Sequence, residues 1–116
     1  MSDNTYKQLK DSVLGVIKDL ENPSNLDPLE YGLDSNDEVS AWDYLGYQLS
    51  HEFKLDSELQ YLGAEVLVGF GGPNIWIDTR HGQVHGAWGT DRIQFGYEDN
   101  IGLDDAMAQL YDSAQH

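Results

Sequence analysis

Asp78, His81 and His85 flank and occupy one turn signal, Arg80-His81-Gly82, and imidazoles beside a carboxylate are the donor set of a zinc or manganese site. His51 would supply a fourth ligand if its strand lay next to theirs. Two histidines on either side of a turn are not forced to converge as two placed four apart on a helix would be. Polar hairpin residues are therefore the simpler expectation, and neither a metal nor another cofactor is expected. Ser50-His51-Glu52 sets the residue types of a catalytic triad side by side, yet neighbours on a strand point to opposite faces and no nucleophile elbow is present. Asp34, Asn36 and Glu38 open like a calcium-binding loop, but Val39 stands where glycine is required and Leu45 where a bidentate glutamate is required. Gly69-Phe70-Gly71-Gly72 leads into Pro73 instead of a helix, with no lysine beside serine or threonine to cradle phosphate. No set of residues here assembles catalytic chemistry, and the expectation is a protein that is not an enzyme.

These residues hang on a framework whose periodicity is legible. Ala64, Val66, Val68 and Phe70 alternate with Glu65, Leu67 and Gly69, and Ile75/Ile77, Val84/Gly86/Trp88 and Ile93/Phe95/Tyr97 repeat the period of two. Glycine-rich turns between them imply antiparallel hairpins. His51, Phe53 and Leu55 offer a fifth strand. Tyr6, Leu9, Val13, Val16, Ile17 and Leu20 mark a helix over about 4–21. Ser35 with Glu38 reads as a capping box opening a helix over about 36–50, its buried side made of Val39, Trp42, Leu45 and Leu49. Leu103, Met107, Leu110 and Ala114 mark a last helix over about 102–114. The fold class is α+β: an antiparallel sheet of four or five strands over about 51–97, with two N-terminal helices and one C-terminal helix, in one domain spanning 1–116. Trp76, Trp88, Phe95 and Tyr97 are expected mostly in the core or in cross-strand pairs, and Arg80, Arg92 and His81 paired with Asp78 and Asp91.

Charge is the strongest signal. The chain of 116 residues carries 21 acidic side chains against 6 lysines and arginines, a formal net charge of -15. Between Asp19 and Glu58 eleven carboxylates face Lys54 alone, and the stretch after Tyr97 adds five with no lysine or arginine. From Gln60 to Tyr97 the balance is nearly even. Such segregation makes one strongly negative face if the loop, second helix and final helix share a side of the sheet, a field that steers a basic partner. Asp27, Glu30, Asp34, Asp37, Glu38, Asp43, Glu98, Asp99, Asp104 and Asp105 are the expected partner-binding residues. Reversal of Asp34, Asp37, Glu38 and Asp43 should weaken binding far more than changes at Asp3 and Asp11. Direct contact with nucleic acid or anionic lipid is disfavoured by the same charge.

In size, acidity and lack of cysteine the chain resembles the small inhibitors encoded by phages and other mobile elements: DNA mimics, anti-restriction proteins and anti-CRISPR proteins. The resemblance implies a non-catalytic inhibitor that occludes the nucleic-acid-binding surface of a basic host protein or nuclease, such as a CRISPR or restriction effector. Two other readings stay open: a metal- or ligand-binding domain, catalytic or not, at the 78–85 hairpin, and an adaptor or oligomerisation protein using its sheet edge. The absence of cysteine, of a secretory signal and of a bilayer-length apolar run makes a cytoplasmic location the expectation, with no membrane partner.

Overall fold

The apolar alternation becomes a five-stranded antiparallel meander in strand order β1-β2-β3-β4-β5, with strands Ser50–Leu55, Tyr61–Gly69, Asn74–Asp78, Gln83–Trp88 and Asp91–Gly96. The computed structural model describes residues 3–114. Helix α1 is Asp3–Glu21, α2 is Ala41–Leu45 and α3 is Leu103–Ala114, with 3-10 turns at Pro23–Asn25 and Pro28–Tyr31. Register aligns Val66, Ile77 and Val84 across β2, β3 and β4, and these join Leu9, Val13, Leu20, Leu103 and Met107 in one buried cluster. Burying each such side chain contributes about 1.5–3 kcal/mol relative to exposure. Ala41 and Leu45 belong to the same cluster, so all three helices lie on one face of the sheet.

Helix α1 runs over β4 and β5 and α3 over β2, with α2 against α3. Gly86 is the reason α1 sits so close: a Cβ there would fall 2.6 Å from Val13 Cγ2 and 2.8 Å from Leu9 Cδ1. On the other side Phe53, Tyr61 and Tyr111 pack ring to ring, at centroid separations of 5.2 to 6.3 Å, and clamp β1 and β2 to α3. The opposite face carries Glu52, Glu65, Leu67, Trp76, Asp78, His85 and Gln94, and no helix among the described residues covers it.

The structure departs from the sequence expectation around α2. Helix α2 occupies only Ala41–Leu45, because the capping box that forms is Ser40 with Asp43, not Ser35 with Glu38. Asp37 instead accepts from the Asp34 backbone N–H at 3.2 Å, closing a turn where the helix was expected to begin. Within α2 Ala41 and Leu45 take the core face and leave Trp42 exposed, and Leu49 is exposed beyond the helix end, while Val39 before it is buried. The fifth strand is present as β1. No helix among the described residues is long and apolar enough to cross a membrane.

Three half-buried phenols packed against the core give a pH prediction. Burial, above all, raises the pKa of Tyr44, Tyr61 and Tyr97 well above the ordinary 10.0; Asp19 adds to it at Tyr44, the Asp104 hydrogen bond at Tyr61, and Asp99 at Tyr97. The unfolded chain loses these protons from about pH 10 upward while the native state keeps them, so the stabilisation is complete below that pH and is lost as pH rises toward the folded values. Alkaline unfolding should begin near pH 10, with tyrosinate absorbance and loss of helical circular dichroism rising together. Tyr97→Phe should move that onset upward.

Candidate functional site

The loop and α3 carboxylates are held by the chain's own backbone to very different extents. Asp27 accepts from Leu29 N at 3.0 Å and shapes the second 3-10 turn. Asp43 accepts from Ser40 N at 2.9 Å and Ser40 Oγ at 2.8 Å, which holds its carboxyl below the usual range. Asp104 accepts a 2.7 Å hydrogen bond from the Tyr61 hydroxyl, tying the first turn of α3 to the start of β2. Asp99 gathers three backbone donors, Gly102 at 3.0 Å, Leu103 at 2.7 Å and Asp104 at 2.9 Å, and so supplies the N-terminal cap that Gly102 has no side chain to make. Asp99→Ala should therefore lower stability by about 1–2 kcal/mol, read as a fall in Tm of roughly 5–15 °C, with Asn restoring part of it.

Glu30, Asp34, Glu38, Glu98 and Asp105 are exposed, and their carboxylates accept no hydrogen bond among the described residues. Tertiary contacts bring Glu30, Glu38 and Glu98 to the end of α1. Glu98 N donates to Glu21 Oε2 at 2.9 Å and Asn100 Nδ2 donates to the Glu21 carbonyl at 2.8 Å, which fastens the 98–101 segment to the end of α1. Glu38 and Val39 line a hollow of about 410 Å³ together with Pro23, Ser24, Asn100 and Ile101. At the same end of α1, Asp19 is partly buried beside Glu30, and burial first and Glu30 second push its carboxyl up, against the pull of Lys18. The two acidic stretches, far apart in sequence, thus meet on the helical side of the fold.

Exposed apolar side chains lie among these acids. Trp42 is 48% exposed and Tyr47 61%, and the Tyr31 ring meets Tyr47 edge-on at 5.0 Å; Leu29 and Leu49 are also exposed. Placing Trp42 and Leu49 at helical spacing concealed this. Gly46, which stands at the end of α2, was the signal that the spacing should not be carried past Leu45.

The hairpin cluster forms in part. His81 Nδ1 lies 2.7 Å from Asp78 Oδ2 and His81 N donates to Asp78 Oδ1, while His85 Nε2 is 3.9 Å from the same carboxylate. His51 is on β1, two strands away from β3, and packs on Phe53. Among the described residues no group of three or more histidines, cysteines and carboxylates is placed to hold a metal. His85 stacks instead on Trp76, with centroids 5.2 Å apart and rings 5° from parallel. Trp88, Phe95 and Tyr97 pack on the core, which leaves Trp76 alone of the four on the uncovered face. Pairing of Arg80 and Arg92 with Asp78 and Asp91 does not occur: neither arginine forms an ion pair among the described residues, and His81 takes Asp78.

The architecture defines an α+β protein, three helices on one face of a five-stranded antiparallel meander. Comparison with protein-family models, with curated proteins and with solved structures finds no match for this chain.

Proposed function

We propose that this protein is a non-catalytic inhibitor that binds a basic nucleic-acid-binding protein or nuclease and occludes the surface on which that partner holds its nucleic acid, as a DNA mimic does. Restriction and CRISPR effectors are partners of this kind. The observation that carries the reading is the meeting of the two acidic stretches around the hollow shared by Glu38 and Asn100. Carboxylates fixed on hydrogen-bonded turns and helix starts form a preorganised negative surface, and a preorganised surface loses less entropy on association than a flexible acidic tail. Glu30, Asp34, Glu38 and Glu98 supply the charge. Trp42 and Tyr47 supply what charge alone lacks, because large exposed aromatics are the residue types that anchor protein interfaces.

The test is capture from a nuclease-treated bacterial lysate on the immobilised protein, eluted in steps of salt and identified by mass spectrometry. Screening shortens the reach of exposed charges from about 10 Å at 0.1 M salt to about 3 Å at 1 M. A basic nucleic-acid-binding protein retained at equal stoichiometry and released as salt rises is the expected result. Retention of nothing, or only of partners indifferent to salt, would remove the basis of this reading.

A further inference from the structure

The chemistry of the hollow between α1, α2 and α3 points to one specific occupant: we infer that it seats a single arginine side chain of the basic partner, an inference that rests on the proposed function above. Three stretches of chain converge on it, Pro23 and Ser24 after α1, Glu38, Val39 and Ser40 before α2, and Asn100 and Ile101 before α3, and the Ser40 hydroxyl is already engaged with Asp43 as donor to its carboxylate and acceptor from its N–H. What they present is lopsided. The Glu38 carboxylate accepts no hydrogen bond among the described residues. Asn100 has its amide nitrogen engaged by the Glu21 carbonyl at 2.8 Å, which leaves its Oδ1 as the acceptor end. The Ser24 hydroxyl takes either role, and no lysine, arginine or histidine lines the space.

A hollow whose committed polar groups are acceptors is matched by a group that only donates. Guanidinium carries five N–H donors and no acceptor, and ammonium three. Arginine fits better than lysine on two counts. Its planar fork pairs with a carboxylate through two parallel bonds, and its weaker hydration makes it cheaper to bring against the apolar Pro23, Val39 and Ile101, on which its stem would lie. A ligand carboxylate or phosphate would instead meet Glu38, with Asp37, Glu98 and Asp99 close by in sequence.

The experiment titrates the full-length, nitrogen-15-labelled protein at constant ionic strength with N-acetyl-arginine amide and, separately, with N-acetyl-lysine amide, following each amide by NMR. The seat predicts saturable shifts at Val39, Ile101 and the Asn100 side chain, with the arginine derivative at least about fivefold tighter than the lysine derivative. Glu38→Gln, a change at an exposed loop position, should weaken the arginine derivative about tenfold, the loss of one charge-assisted hydrogen bond. Shifts that grow without saturating and spread over all the acidic segments would overturn the seat, as would equal response to the two derivatives or indifference to Glu38→Gln. Because the probe needs no macromolecular partner, the seat can fail while lysate capture succeeds, and it can hold while capture fails.

Discussion

Reversal of Glu30, Asp34, Glu38 and Glu98 to lysine should weaken capture of the basic partner by about 30- to 1,000-fold, while the same reversal at Asp11, Glu52, Glu58 and Asp112 should change it by less than about fivefold. An exposed ion pair contributes about 0.2–1 kcal/mol, and reversal replaces attraction by repulsion, so four positions together amount to roughly 2–4 kcal/mol. Both sets change net charge equally and all eight side chains are exposed. The difference between them isolates position from total charge. The choice of residues follows from the structure. Asp37 and Asp43 would have been natural targets by charge, but each accepts hydrogen bonds that close the turn at Asp34 or cap α2. A lysine at either would disturb the loop itself, and lost binding would then report lost structure. Equal effects from the two sets would mean that the protein attracts its partner by net charge alone.

The largest loss of stability from a single added methyl should come at Gly63. A Cβ at this position would lie 2.6 Å from Arg80 Cα and 2.7 Å from Arg80 N, and would also collide with Arg80 Cβ. The turn between β3 and β4 passes directly over β2 here and is fastened by Thr79, whose N–H donates to the Ala64 carbonyl at 2.9 Å and whose hydroxyl accepts from Ala64 N at 2.8 Å. Relief of the collision requires moving backbone that these bonds hold. Gly63→Ala should cost about 3 kcal/mol, the upper part of the usual range for overpacking, and lower Tm by roughly 10–20 °C. Gly86→Ala presses on the side-chain ends of Val13 and Leu9 instead of on backbone, so a cost of about 1–2 kcal/mol is expected. Denaturant melts of the two variants compare them directly, and a Gly63→Ala protein as stable as the parent would show that the turn can lift away.

Much of this framework is written in local periodicity. Leu9, Val13, Ile17 and Leu20 declare α1 because they recur on one side of a helix, and β2 to β5 alternate around glycine turns whose chemistry is local. The second helix is also set locally, and differs from the expected span for a local reason. Two Ser-x-x-acid patterns lie five residues apart, and only the one at Ser40 and Asp43 is followed by Ala41 and Leu45, which the core can bury. The acidic surface was legible as a list of residues but not as a surface, because what unites it is a pair of hydrogen bonds from Glu98 and Asn100 to Glu21, 77 and 79 residues away. No periodicity encodes such a contact. Tyr111 on α3 is set in the same way: its ring is buried against Phe53 and its hydroxyl donates to the Leu59 carbonyl at 2.6 Å, partners brought to it by the β1–β2 pairing.

Competition for the partner's nucleic acid is the most direct measurement of the central claim. The captured partner is loaded with a fluorescent oligonucleotide that it binds, and the protein is added while anisotropy reports the bound fraction. Occlusion by the acidic side predicts release of the oligonucleotide at one equivalent of protein per partner, and no release by the variant reversed at Glu30, Asp34, Glu38 and Glu98. Persistence of the oligonucleotide on a partner already saturated with the protein would contradict it.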